Sequence, residues 1–307
     1  MSATAQVAVV VVTYNSAAVL PGLVSSLEAG MAGTAWHLVV VDNASTDGTL
    51  EWTERLSPDA TVVRAGGNYG YAAGINLGVS VARQSDAILV LNPDVRLQPG
   101  CAAALATALA APGVGVVAPH LEDGSGRLIY SIRREPTLLR TMGDAFLGAD
   151  RAGRRTALGE VSTNPAAYLV PRTIDWAEGS TLMVSRCCWE AVGPWDESFF
   201  LYSEETDFAL RARDAGYTVR YVPDARAFHL EGESGASDAL WPLLVANRWR
   251  LYRKRHGPVS SAAFWATLVI REGSRAARGG HTNRAALRVL LSPARLRERP
   301  GPHSIGA

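Results

Sequence analysis

The chain has 307 residues, of which 48% are apolar and 19% charged, for a net charge of +1. That length buries a sizeable core in one large domain or two small ones, and 29 Gly and 16 Pro without a period exclude collagen-like and disordered classes. Cys101, Cys187 and Cys188 make neither a disulfide framework nor a zinc pattern, which points to a reduced, cytoplasmic setting. The first residues, MSATAQ, carry no basic charge and precede only a short apolar run, so no signal peptide is expected. No run of about 18 apolar residues lacks a breaker, so no membrane span is expected either.

Residues 7–12 are a β-branched run, short enough for a strand buried on both faces. Residues 17–29 follow at helical spacing. Strand signals then recur at 37–41, 61–64, 87–91 and 114–117, separated by helical signals at 48–56, 71–83 and 99–110. This alternation predicts an α/β fold with a mostly parallel sheet flanked by helices. Ligands of such sheets bind beyond the carboxyl ends of the strands, and the polar clusters fall there: Thr13-Tyr14-Asn15, Asp42-Asn43-Ala44-Ser45 and Asn92-Pro93-Asp94. From 120 to about 175 the regularity lapses into a hairpin signal at 121–129 and an Arg-rich, turn-rich stretch, read as an insertion shaping a substrate site. Order returns at 179–185, in a helix at 204–215 and in a strand at 218–222 leading to His229.

Charge divides the chain. From Trp241 onward there are 13 basic and 2 acidic residues, a balance of +11, which leaves −10 for the remainder. In 240–255, Leu243, Leu244, Trp249 and Leu251 interleave with Arg248, Arg250, Arg253 and Lys254, a basic amphipathic pattern suited to an anionic membrane surface or a phosphorylated lipid. The alternative is a helix packed on the body with its arginines in water.

Asp94 closes a strand, where a carboxylate suits a hard cation that shares phosphate oxygens; a turn or cap role is the alternative, as for Asp42 and Asp47. His229 is either a ligand or a structural histidine. The densest cluster runs from Trp195 and Asp196 through Phe199, Phe200 and Tyr202 to Glu204, Glu205 and Asp207. Acidic residues favour a helix N-terminus, but carboxylates beside apolar rings also lose solvation, which raises their pKa toward that of a general base.

The ordered succession VVTYN, VDNASTDGT, NYGYAAGIN, LNPD, EGSTLMV and WDESFFLYSEETDF, ending in PDA with His229 and Ser234, resembles glycosyltransferase family 2, nearest its bacterial rhamnosyltransferase-like branch. The resemblance spans about residues 7–235. It implies a Rossmann-like GT-A fold, with residues 1–118 binding a nucleotide-sugar, 119–239 binding the acceptor and carrying catalysis, and 240–307 a basic helical extension. It further implies that Thr13, Tyr14, Asn15 and Asp42 line the nucleoside, that Asn68, Gly70 and Asn76 close over it, and that Asn92 and Asp94 hold the diphosphate. Asp94 and His229 would hold Mg²⁺ or Mn²⁺, contacts around Gly179 would select the donor sugar, and Trp195 and Asp196 would dock the acceptor. Glu205 takes the base position, with Glu204 and Asp207 as alternatives because the usual residue there is Asp. The implied reaction is an inverting transfer of a sugar, rhamnose from dTDP-rhamnose by preference over a UDP donor, to a glycan, lipid-linked or small-molecule acceptor in cell-wall or polysaccharide assembly. The setting would be cytoplasmic, at or near the inner membrane face. A nucleotidyltransferase would carry a Gly-rich phosphate loop after the first strand, which is missing here, and a non-catalytic binder would have lost the base and metal positions. Nucleic acid is not an expected partner.

Overall fold

The computed structural model describes residues 5–230 and 240–304. Ser234 therefore lies outside the described residues. In chain order the elements are β1 (Gln6–Thr13), α1 (Leu20–Gly30), β2 (Ala35–Asp42), α2 (Thr49–Leu56), β3 (Thr61–Arg64), α3 (Tyr71–Val81), β4 (Ala87–Leu91), β5 (Val95–Leu97), α4 (Cys101–Leu109) and β6 (Val114–Glu122). Then come β7 (Ile132–Arg133), α5 (Leu138–Leu147), α6 (Ala149–Gly153), β8 (Arg172–Ile174), β9 (Trp176–Ala177), β10 (Thr181–Ser185), α7 (Arg186–Val192), α8 (Glu204–Asp214) and β11 (Thr218–His229). The tail forms α9 (Leu240–Arg255), α10 (Pro258–Ala277), α11 (His281–Leu290) and α12 (Pro293–Arg297).

The main sheet has the order β3-β2-β1-β4-β10-β6-β11-β5, with β8 alongside β11. β3, β2, β1 and β4 are parallel, β10 is antiparallel to both neighbours, and β6 and β11 are parallel again. The valine run of β1 is buried on both faces because alternate side chains serve different layers. Val7, Val9 and Val11 meet Leu20, Leu23, Leu27 and Leu105 from α1 and α4, whereas Val10 and Val12 join Ile75 of α3 and Phe208 of α8. Gly74 and Gly78 let α3 lie close to β1: a Cβ on either would fall 2.6 or 2.5 Å from a methyl of Val12 or Val10.

Two expectations are corrected. The 120–175 stretch is not devoid of regular structure, for it contains α5, capped by Thr137, whose hydroxyl accepts from the Arg140 amide at 3.2 Å. The strand expected at 218–222 runs on to His229, interrupted by a register shift between Val222 and Arg226, after which it pairs with β6 on one side and β5 on the other. In the tail, Val245, Tyr252, Phe264, Leu268, Ala286 and Leu290 form their own apolar cluster. No helix among the described residues is long and apolar enough to cross a membrane.

Candidate active site

The carboxyl ends of β1, β2 and β4 converge with the N-terminus of α8 and the end of β11. At the β1 and β2 ends, Asp42 is 1% exposed. Its carboxylate accepts from the Thr13 hydroxyl at 3.0 Å and from the Ser45 amide at 2.9 Å. Asn15, with φ 51°, accepts from the Thr46 amide at 2.8 Å and so ties the two loops together. Tyr14 and Asn15 are exposed, whereas Thr13 and Asp42 are buried. Asp42 thus organises the loop through Thr13 and Ser45.

The 68–76 segment is also held from within. Asn68 accepts from the Gly70 amide at 3.1 Å, and Gly70 sits at φ 88°, where a Cβ would come within 2.2 Å of the Phe200 carbonyl. The next amide, of Tyr71, donates to that same carbonyl at 2.7 Å. Asn76 exchanges hydrogen bonds with the Trp195 backbone at 2.9 Å and donates to Glu197 at 3.0 Å, so it fastens α3 to the acidic cluster instead of closing over a ligand. Trp195 itself is 1% exposed and packs edge-on against Tyr71 and beside Phe208. Of the two residues expected to dock the acceptor, Trp195 is thus buried and does not line the cavity beyond β4.

Beyond β4 lies a cavity of about 330 Å³ lined by Asn92, Gly179, Glu204, Glu205 and His229 of the expected residues. Asp94 Oδ2 is 3.4 Å from His229 Nε2, and Glu178 Oε1 is 2.9 Å from His229 Nδ1. Burial alone would lower the imidazole pKa, but the two carboxylates outweigh it and raise it to about 10. An oxygen and an imidazole nitrogen at this separation, with Glu178 holding the other ring nitrogen, would fit a divalent cation of the Mg²⁺ or Mn²⁺ type that displaces the imidazolium proton between them. The described residues hold no cluster of three or more His, Cys, Asp and Glu suited to a metal.

Glu204 and Glu205 open α8. Burial lifts the Glu205 carboxyl to about 7, with Glu178 adding to the effect. Burial followed by Glu205 lifts Glu204 well above the usual range, and its Oε2 finds no hydrogen-bond donor among the described residues. Glu204 is 2% exposed, whereas Glu205 is only partly buried and presses against Gly179, where a Cβ would lie 3.2 Å from its own. Asp207 is different: fully buried, it accepts from Arg211 Nε and Lys254 Nζ, each at 2.7 Å, and does not line the cavity. Asp196 shares Lys254 at 2.7 Å; burial opposes ionisation, but Lys254 and Ser198 bring it down to about 2.

The turn before α8 is strained, with Phe200, Tyr202 and Ser203 at φ 63°, 70° and 77°. Such conformations cost on the order of 1 kcal/mol or more each and persist only when neighbours impose them. The imposing group is Asn247 of α9, fully buried, whose Nδ2 lies 2.8 Å from the carbonyls of Phe199 and Leu201 and 3.2 Å from that of Tyr202. Sequence reasoning missed this residue. It also missed Arg133, Trp176, Leu244 and Arg248 in the cavity wall. Glu178 heads the EGST motif and was legible there, but only its neighbour Gly179 drew notice.

Residues 8–155 match the family model of glycosyl transferase family 2, and residues 87–257 that of glycosyl transferase family group 2. The N-acetylglucosaminyl-diphospho-decaprenol L-rhamnosyltransferase of Mycobacterium tuberculosis is 30% identical over 75% of this chain and 78% of its own. A low-salt glycan biosynthesis hexosyltransferase of Haloferax volcanii is 28% identical over 72% and 66%. The mannosyltransferase of Pyrobaculum calidifontis, solved with GDP-Man and Mn²⁺, superposes with a TM-score of 0.59 at 19% identity, over 96% of this chain and 83% of that one. The fold is of the GT-A type.

Proposed function

The chain belongs to glycosyl transferase family 2, and on that premise we propose that it moves a hexose from a nucleoside diphosphate sugar to an acceptor hydroxyl with inversion. One observation carries the reading: a single cavity exposes Glu205, whose pKa is near 7, together with His229 beside Asp94. A carboxyl poised near neutrality takes a proton from the acceptor oxygen as that oxygen attacks the anomeric carbon, while the donor oxygen leaves from the opposite face. Asp94 and His229 would hold a divalent ion, which when bound would supply positive charge to the departing diphosphate. Tyr14 and Asn15 flank the nucleoside, Asn92 the diphosphate and Gly179 the sugar. Glu178 keeps the His229 ring oriented.

Rhamnose from dTDP-rhamnose is the proposed donor and a lipid-linked, diphosphate-bearing sugar the proposed acceptor, in cell-wall or polysaccharide assembly at the cytoplasmic side of a membrane. The support is the mycobacterial relative, which this chain covers over most of its length. The deciding experiment offers the purified protein a panel of dTDP-, UDP- and GDP-sugars with Mg²⁺ or Mn²⁺ and follows nucleoside diphosphate release. Turnover confined to a UDP- or GDP-sugar overturns the rhamnose assignment. No release from any donor, with or without an acceptor extract, overturns the transferase reading.

A further inference from the structure

We propose that α5 seats this protein on an anionic lipid surface. Leu139, Met142 and Phe146, spaced i, i+3, i+7, make one stripe of the helix and are 55%, 40% and 65% exposed, with Leu147 beside them at 45%. Thr141 and Asp144 point the other way and are buried. A monomeric protein seldom presents several large apolar side chains on one short face without a partner. Directly beyond the helix come Arg151, Arg154 and Arg155, all exposed and with no ion pair among the described residues, against the one exposed acid Asp150. An apolar stripe followed directly in the chain by three exposed arginines matches the boundary between acyl chains and phosphate headgroups.

A second copy of this chain fits the face less well. A two-fold contact would lay the stripe on itself and bring the two arginine triads together. Part of the basic tail is committed elsewhere: on α9, Arg248 pairs with Glu160, Lys254 with Asp196 and Asp207, and Arg255 with Asp214, so these charges already face carboxylates of the same chain. Position favours α5 as well, because Arg133 and Pro136, just before it in sequence, line the catalytic cavity.

The test is co-sedimentation of the full chain with vesicles of phosphatidylcholine alone or mixed with phosphatidylglycerol. Binding is expected only to the mixed vesicles and to fall with added salt. The neutral pair Leu139→Ser with Phe146→Ser, and separately Arg151→Gln with Arg154→Gln and Arg155→Gln, should each lower the partition coefficient by about tenfold or more. Val259→Ser, at an 84% exposed site on α10, should leave it unchanged. All these side chains are exposed, so the thermal transition should not move. Failure of the parent chain to bind mixed vesicles overturns the proposal, as does undiminished binding by the α5 variants. A dimer in solution that Phe146→Ser dissociates also overturns it, by assigning the face to self-association. The assay reads no turnover, so its outcome is separable from that of the proposed reaction.

Discussion

Glu205→Gln separates catalysis from stability at one site. As the proposed base it must be ionised, so kcat/KM should climb with pH to a plateau above about 7, where burial places its pKa. The amide cannot take the proton, and kcat should fall about 100-fold or more with donor affinity nearly unchanged. Stability should move the other way. The folded carboxyl keeps its proton up to about pH 7 while the unfolded one releases it near 4.5, so the native state loses stability as pH rises through that interval. The full difference corresponds to about 3 kcal/mol above pH 7 as an upper bound, since Glu204 shares the same desolvated pocket. Glu205→Gln should thus raise the urea midpoint above pH 7 and leave it unchanged below pH 4.5. Glu204→Gln, at a side chain only 2% exposed, should stabilise likewise but retain turnover. Near-normal kcat in the Glu205→Gln enzyme, or an acid limb that persists in it unchanged, would refute the reasoning.

Removing divalent ions with EDTA should abolish turnover, and Asp94→Ala should weaken nucleoside diphosphate binding in calorimetry only when Mg²⁺ or Mn²⁺ is present. Equal affinities with and without metal would contradict this. Gly70→Ala, forced to a positive φ with its Cβ against the Phe200 carbonyl, should cost ~2 kcal/mol or more in urea unfolding and reduce donor affinity. Asn247→Leu removes the donor shared by the carbonyls of Phe199, Leu201 and Tyr202, of which that of Phe199 keeps the Leu201 amide, and releases the strained turn, so it should cost about 1–3 kcal/mol. Because that turn aims Glu205, kcat should fall while donor affinity holds; a loss of stability with kcat intact would make Asn247 merely structural.

What the sequence discloses and what it hides follow from the same physics. β1, β2 and β4 are plain in the chain because burial on both faces demands unbroken valine and leucine runs, and α8 is plain because its acids crowd a helix start. The β7–β9 ladder that carries Arg133 and Trp176 to the cavity is two residues per strand, too short for any period to register. α5 is hidden because Gly143 falls within it, Gly148 follows its end, and arginines surround it in the chain, so the stretch has the composition of turns. Asn247 escaped for a different reason. A polar residue inside an amphipathic helix looks solvated, and only the fold reveals that it faces the carbonyls of a turn some 45 residues earlier in the chain.

Basic residues are put to two uses in this chain. Asp207 is fully buried and Glu160 nearly so, and each meets a cation from α9. Buried pairs of this kind add little net stability against their desolvation cost, but they are very costly to leave half-made. Their effect is therefore on register: α9 docks where Lys254 and Arg248 find their partners, and that position delivers Asn247 to the turn before Glu205. The exposed arginines after α5 have no such partners among the described residues and remain open to the surroundings. Salt distinguishes the two uses, since screening acts on exposed charges within about 10 Å at moderate ionic strength and scarcely reaches buried ones. Raising it should release the protein from lipid while leaving the base turn, and with it turnover on a soluble acceptor, intact.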